Sequence, residues 1–287
     1  MTTAPAFNAE GFKAATRDQW DEAASGWSDH SPQIRDWLRL GTLAMIDMAG
    51  VKANFRVLDV AAGAGDQTLD IAERVGPGGS VLATDISSEI LKFAKLNAEA
   101  AGYRNVETLV ADGETLALEK ESFDAAVSRL GLMFLPDPLG GLKGIYSALK
   151  PGAGICTMVF SAPQANPCIV TLMSTACKHA GIEPHDPFQP GGLLSLGKPG
   201  LIDTLFREAG FCEVATTKIS APFKLPTARD YLSFIRTSAS PIQQILSKLD
   251  ASKKDAAWDD MENQLSKFAT AAGWEGPNEL LLTAGRR

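Results

Sequence analysis

Ten residues decide the fold: Val57-Leu-Asp-Val-Ala-Ala-Gly-Ala-Gly-Asp66. An apolar, strand-like run carries an acid at Asp59, breaks at Gly63 and Gly65, and passes into a helical pattern from Gln67 to Arg74. A second apolar run, Ser80-Val-Leu-Ala-Thr84, ends at Asp85, twenty positions after Gly65. This is the layout of a nucleotide-binding β-α-β unit. The glycines let the backbone approach a ligand closely, and a carboxylate at the end of the second strand accepts hydrogen bonds from ribose hydroxyls.

The ligand class follows from charge. A dinucleotide fingerprint places glycine three positions after Gly65, where the helix N-terminus meets pyrophosphate. Here that position is Thr68, and Asp66 sets a negative charge where a phosphate would sit. Anion against anion is unfavourable unless a cation intervenes. An adenosyl ligand without phosphates, carrying a cationic amino group, tolerates these acids far better. Asp59 and Asp66 therefore suit the methionine part of S-adenosylmethionine. A Gly-x-Gly alone would be an ordinary strand–turn–helix; the added acids at these spacings set it apart.

Working outward, Pro32 to Gly50 reads as a helix, with Ile34, Trp37, Leu38, Met45 and Ile46 on one stripe, Ser31-Pro32 at its start and Gly50 at its end. Residues 1–19 show only loose helical character. From residue 51 to Phe160 strands alternate with helices near Gln67–Val75, Ser87–Ala101 and Leu139–Leu149, with Ser87 as N-cap. Such alternation implies right-handed crossovers and a parallel sheet covered on both faces. Beyond Phe160 the alternation lapses. An apolar helix near Cys168–Gly181 and a Pro/Gly-rich loop, Pro184–Lys198, precede a helix at Pro199–Gly210 and a strand at Cys212–Ile219. Residues 222–275 look helical, broken at Pro226 and Pro241, and Leu280–Ala284 reads as the last strand.

The motifs together resemble the class I S-adenosylmethionine-dependent methyltransferases, most closely the small-molecule branch that includes the ubiquinone/menaquinone-type C-methyltransferases. The resemblance runs from about Trp20 to the C-terminus and is clearest from Val57 to Phe160. It implies S-adenosylmethionine as cofactor and S-adenosylhomocysteine as product. It carries the first motif onto Asp59, Ala61 (glycine in many members), Gly63, Gly65 and Asp66. The ribose acid falls on Asp85 with Ile86 against adenine, and the adenine-contacting segment on Asp112-Gly113-Glu114. Arg129, after the fourth strand, lies beside the cofactor's reactive end, and Trp27 stands where an aromatic often closes over the cofactor. An aromatic face near a sulfonium gains about 0.5–2 kcal/mol.

The expected fold is α/β: a Rossmann-like, doubly wound, seven-stranded mixed sheet with its last strand antiparallel, and a helical lid. Residues 1–50 would cover the cofactor site, 51–160 form the cofactor-binding core, 161–198 and 222–275 form the lid, and 199–221 with 276–287 complete the sheet. In the family the sixth and seventh strands form a hairpin; here about fifty residues separate them, and a lid of this kind excludes water and holds the acceptor.

The 287 residues carry a formal net charge of −7. That balance argues against a nucleic-acid substrate, where phosphate neutralisation dominates affinity. No apolar run is long enough to span a membrane and no secretory signal opens the chain, so a cytoplasmic setting is expected. Cys156, Cys168, Cys177 and Cys212 lack Cys-x-x-Cys spacing, so no metal site is expected. The oligomeric state is open, a homodimer included. The expected partner is a small-molecule methyl acceptor, hydrophobic or aromatic, methylated at carbon or oxygen, with the choice among carbon, oxygen and nitrogen left open by the sequence. If it needs a base, the candidates are His185, in the lid loop, and His30, each more simply read as a solvated or structural histidine. Three other readings stand beside this one. A non-catalytic S-adenosylmethionine-binding protein would need a degenerate pocket. Methylation of a thiophilic metalloid would need grouped thiolates, which Cys168 and Cys177 match poorly. A nicotinamide-dependent oxidoreductase is opposed by Asp66 and Thr68.

Overall fold

The computed structural model describes residues 9–184 and 186–287. Two helices precede the first strand: α1 (Ala9–Asp29) and α2 (Ser31–Met48), separated by His30 alone. The N-terminal stretch is thus firmly helical from Ala9, more so than the sequence suggests. The signal is present in the spacing of Phe12, Thr16, Trp20, Ala24 and Trp27, which share one face of α1. In α2 four of the five expected stripe residues, Ile34, Leu38, Met45 and Ile46, are buried, and Trp37 is half-buried. Each such side chain contributes about 1.5–3 kcal/mol by leaving water.

The core follows as β1 (Arg56–Val60), α3 (Asp66–Val75), β2 (Ser80–Asp85), α4 (Ser88–Ala100), β3 (Val106–Val110), β4 (Phe123–Arg129), α5 (Pro138–Ala148) and β5 (Leu149–Phe160). Ser87 caps α4, its hydroxyl accepting the Ile90 N–H at 3.1 Å. After β5 come α6 (Pro167–Ala180), α7 (Leu201–Glu208), β6 (Cys212–Ser220), β7 (Phe223–Leu225), α8 (Ala228–Ser238), α9 (Ser240–Leu246) and α10 (Ala251–Leu265). The chain closes with β8 (Ala269–Thr270), β9 (Gly273–Gly276) and β10 (Glu279–Arg286).

Seven strands form one sheet in the order β3-β2-β1-β4-β5-β10-β6. All neighbours run parallel except β10, which is antiparallel to both β5 and β6. The strand order reverses between β1 and β4. Right-handed crossovers then put α3 and α4 on one face and α5 on the other. The crevice at the C-terminal ends of β1 and β4 is where such sheets bind ligands. Val57, Leu58, Ala125, Ala126 and Val127 are fully buried, as expected of central strands covered on both sides.

The stretch 222–275 departs from the all-helical expectation. Its two ends build a small antiparallel sheet, β7-β9-β8, with Phe223 opposite Gly276 and Leu225 opposite Trp274. Strands of three and four residues are too short for a readable alternation. Between them Pro226 stands one residue before Thr227, whose side chain caps α8, and Pro241 opens α9. Among the described residues no helix is long and apolar enough to cross a membrane.

Candidate active site

The turn after β1 is shaped by backbone demands. Gly65 has φ +90° and lies against α4, where a Cβ would sit 3.0 Å from both Cα and Cβ of Ala94. Only glycine satisfies both conditions, and this lets α3 begin at Asp66 beside the crevice. Ala61 adopts φ +56°, a left-handed conformation that glycine would occupy without strain.

Asp85 ties this turn to the end of β2. Its Oδ2 accepts the Gly63 N–H and its Oδ1 the Ser87 N–H, each at 3.0 Å. Burial pushes its carboxyl above the ordinary value, against the pull of these backbone donors.

The crevice is a cavity of about 1030 Å³, counting the solvent-open space at its mouth. Of the residues expected from sequence, the structure brings Ala61, Gly63, Asp66, Asp85, Ile86, Asp112, Gly113, Arg129 and Trp27 to its wall. Gly65 and Asp59 stand behind it. The Asp59 carboxylate is fully buried and accepts from the Gln67 amide at 3.1 Å and the Thr68 hydroxyl at 2.6 Å. It therefore anchors the first turn of α3 rather than facing a ligand. Burial raises its pKa to about 6, despite those two hydrogen bonds.

At one end of the cavity opposite charges share the wall. Arg129 Nη2 lies 3.6 Å from Asp66 Oδ2, and Arg129 Nη1 donates to the Thr42 hydroxyl at 3.1 Å. Asp66 also accepts from the Ser31 hydroxyl. Burial pushes Asp66 up and Arg129 down, each opposed by the charge of the other. A carboxylate and a guanidinium side by side offer complementary partners to the ammonium and carboxylate of an amino acid.

A residue without a sequence signal closes the opposite rim. Lys13 of α1 donates to Asp112 at 2.8 Å and pairs with Glu114, which itself sits off the wall. Burial disfavours the Asp112 carboxylate, but Lys13 and the Glu114 N–H outweigh it and hold its pKa low. A single lysine in a helix carries no motif, so its role is visible only in three dimensions.

Trp20, Trp27, Leu130 and Phe134 separate this cavity from a second of about 720 Å³. Trp20 meets Trp27 at 5.6 Å and Phe134 edge-on at 5.4 Å, in the geometry aromatic rings prefer. The Trp27 indole donates to the Ser238 carbonyl at 3.1 Å. Among the described residues, no Asp, Glu, Lys, Arg or His lines this chamber. Its polar members are Tyr231, Ser238 and Asn278, and burial pushes the Tyr231 phenol well above its usual range.

His30 lines neither cavity. Its Nδ1 lies 2.8 Å from the Gly26 carbonyl and its ring packs edge-on to Phe234 at 5.3 Å. His185 lies outside the described residues. Cys156, Cys168 and Cys177 are buried, and burial pushes the Cys168 thiol up to about 12. Among the described residues no group of three His, Cys, Asp or Glu is placed to hold a metal ion.

The fold and the site define a class: a Rossmann-like α/β protein whose nucleotide crevice suits an adenosyl amino acid rather than a dinucleotide. The chain belongs to the ubiE/COQ5 methyltransferase family, whose profile matches residues 33–176. Demethylmenaquinone methyltransferase of Lactococcus lactis is 37% identical over 119 residues, which are 42% of this chain and 46% of that one. The UbiE C-methyltransferase of Pectobacterium atrosepticum is 34% identical over 119 residues, 41% of this chain and 47% of that one. The chain thus spans about half the length of the curated relatives it matches. Among solved structures, YcgJ of Bacillus subtilis superposes with a TM-score of 0.58 at 19% identity, over 87% of this chain and 98% of that one. Phosphoethanolamine N-methyltransferase 2 of Haemonchus contortus, solved with phosphomonomethylethanolamine and S-adenosylhomocysteine, gives 0.59 at 18% identity, over 94% and 60%. These two likenesses establish the fold.

Proposed function

We propose that this chain transfers a methyl group from S-adenosylmethionine to a small aromatic acceptor of the hydroquinone type. The observation that carries the reading is the pairing of two chambers. One presents Asp66 and Arg129 to a zwitterion, and the other, across Trp20, Trp27, Leu130 and Phe134, is aromatic and free of charged side chains among the described residues.

Asp85 would hold the ribose, Ile86 the adenine face and Asp112 the adenine amine, while Asp66 and Arg129 take the amino-acid end. When bound, the cofactor supplies a methyl group activated on a sulfonium. The chain's own task is to orient an acceptor beside that group and keep water away. A low-dielectric chamber assists a transfer that disperses positive charge. Trp20 and Trp27, on the shared wall, offer ring faces to a cation.

The chamber carries no side-chain base among the described residues, so its acceptor must already be nucleophilic. An electron-rich hydroquinone carbon, or a phenolate ionised in solution, meets that condition. The names of the curated relatives favour the carbon. We read α1, α6, α8 and α9 as a lid, since α1 lines both chambers and α6, α8 and α9 line the second, and a cytoplasmic setting suits this chemistry. A cleft of about 1450 Å³ between α1 and α6 shares Trp20, Phe134, Ile169, Leu193 and Pro241 with the acceptor chamber and serves as its entrance.

The experiment is transfer of label from methyl-tritiated S-adenosylmethionine to 1,4-dihydroxynaphthalene, with the product identified by mass spectrometry. A carbon-methylated product is expected. A protein that binds the cofactor and labels none of a panel of phenols, hydroquinones and naphthalenediols contradicts the proposal.

A further inference from the structure

Trp37 of α2 stands where the acceptor chamber meets the outside. On its inner side is the aromatic chamber. On its outer side lies an open groove of about 1350 Å³, walled by Arg39, Leu40, Ile219, Lys224 and Glu275. Trp37 and Phe223 belong to both walls. The cofactor cavity meets the chamber through a different set of residues, Trp20, Trp27, Leu130 and Phe134, none of which borders the outer groove.

The indole of Trp37 is held by three contacts. Its Nε1–H donates to the Ala221 carbonyl at 2.6 Å. Its ring stacks on Phe223 with centroids 3.9 Å apart and 24° between planes, and lies near-parallel to Phe160 at 6.3 Å and 25°. Phe160 and Phe223 are themselves buried, so the indole packed against them has little room to swing. The hydrogen bond to Ala221 also fixes the ring's rotation, and a phenyl ring could not make it.

We propose that Trp37 is the end wall of the acceptor chamber and sets the length of acceptor that fits; this rests on the reading that the chamber holds the acceptor. A flat acceptor lies between the aromatic boundary with the cofactor cavity and the Trp37 plate. Replacing the indole by a short side chain joins chamber and groove, and a longer rigid acceptor then passes through the space the indole filled. Trp37 is not among the residues that line the cofactor cavity, so its effect falls on acceptor choice.

The test uses a rigid series, 2-naphthol and 2-anthrol, titrated into the full chain saturated with S-adenosylhomocysteine. The wild type is expected to bind 2-naphthol more tightly than 2-anthrol. Trp37→Ala shifts that ratio toward 2-anthrol by about tenfold, the scale on which a pocket discriminates by size. Trp37→Leu shifts it less, and Trp37→Phe, which keeps an aromatic ring but loses the hydrogen bond to Ala221, shifts it least. Unchanged S-adenosylhomocysteine affinity shows that each variant is folded, and Trp37→Leu carries the test if the alanine variant does not fold. A ratio that is the same in all folded variants overturns the proposal, as does a wild type that binds neither compound. Methyl transfer to 2-naphthol is read in parallel. A shifted ratio with no methylated product from 2-naphthol or from the panel of phenols, hydroquinones and naphthalenediols leaves the end wall standing and refutes the acceptor reading instead.

Discussion

Asp85→Asn is the substitution that tests most of the cofactor site at once. The carboxylate accepts two backbone N–H groups, from Gly63 and Ser87, each at 3.0 Å. An amide retains one acceptor oxygen, so one of these donors, the buried Ser87 N–H or the half-buried Gly63 N–H, loses its partner. Leaving such a group unsatisfied costs about 1–3 kcal/mol of stability. The cofactor loses charge-assisted hydrogen bonding from its ribose, worth about 1.5–3 kcal/mol per bond. That corresponds to about a 10- to 150-fold rise in Kd for one bond. Burial raises the Asp85 pKa. Wild-type affinity should therefore weaken with falling pH sooner than an exposed aspartate would allow, whereas the Asn variant should not show this dependence. Titration calorimetry with S-adenosylhomocysteine, beside chemical denaturation, separates the two effects. A folded Asn variant whose affinity stays within about threefold of wild type refutes the ribose assignment.

Other expectations follow from neighbouring geometry. The Asp59 carboxyl titrates at about 6 in the folded chain against 3.8 ordinarily. The folded state therefore holds this proton more tightly, and about 3 kcal/mol of stability present at low pH is lost as pH rises through that window. Asp59→Asn should gain on the wild type by about that amount between about pH 4 and pH 7, read by denaturant unfolding at both values; a constant difference contradicts the assignment. Gly131→Ala would place a Cβ 2.2 Å from that of Ala61, and should lower stability by about 1–3 kcal/mol. Adding Ala61→Gly removes the clashing atom at a position with φ +56°, so the double variant should recover most of the loss; additive destabilisation counts against this packing. Lys13→Ala removes ion pairs to Asp112 and Glu114 at a half-open rim. It should alter stability by less than about 1 kcal/mol yet speed cofactor release in stopped flow, and an unchanged release rate argues against a covering role for α1.

The parts legible in the sequence were those where one residue type meets one backbone or electrostatic demand. Gly63, Gly65 and Asp85 announce the turn because their spacing has few alternative uses. The antiparallel β10 came with the family resemblance, since a single apolar run such as Leu280–Ala284 carries no direction. Asp59 shows a limit: the sequence places a carboxylate beside the turn, but whether it faces the ligand or the Gln67 and Thr68 side chains depends on a strand's twist. Lys13 and Trp37 show another, because each acts through partners about 100 to 190 residues away, at Asp112 and Ala221, and such long-range contacts leave no local pattern. Trp20 and Trp27 were partly readable. Seven residues apart on one helix they share a face, but that face packs against Phe134 and Phe234 of distant segments.

The central claim is that the crevice holds an adenosyl amino acid rather than a dinucleotide, and calorimetric titration of the purified full chain tests it most directly. Saturable binding of S-adenosylmethionine is predicted, with no heat from NAD or NADP, because Asp66 stands where their pyrophosphate would lie. A folded protein that binds NAD or NADP, or that fails to bind S-adenosylmethionine, contradicts the account.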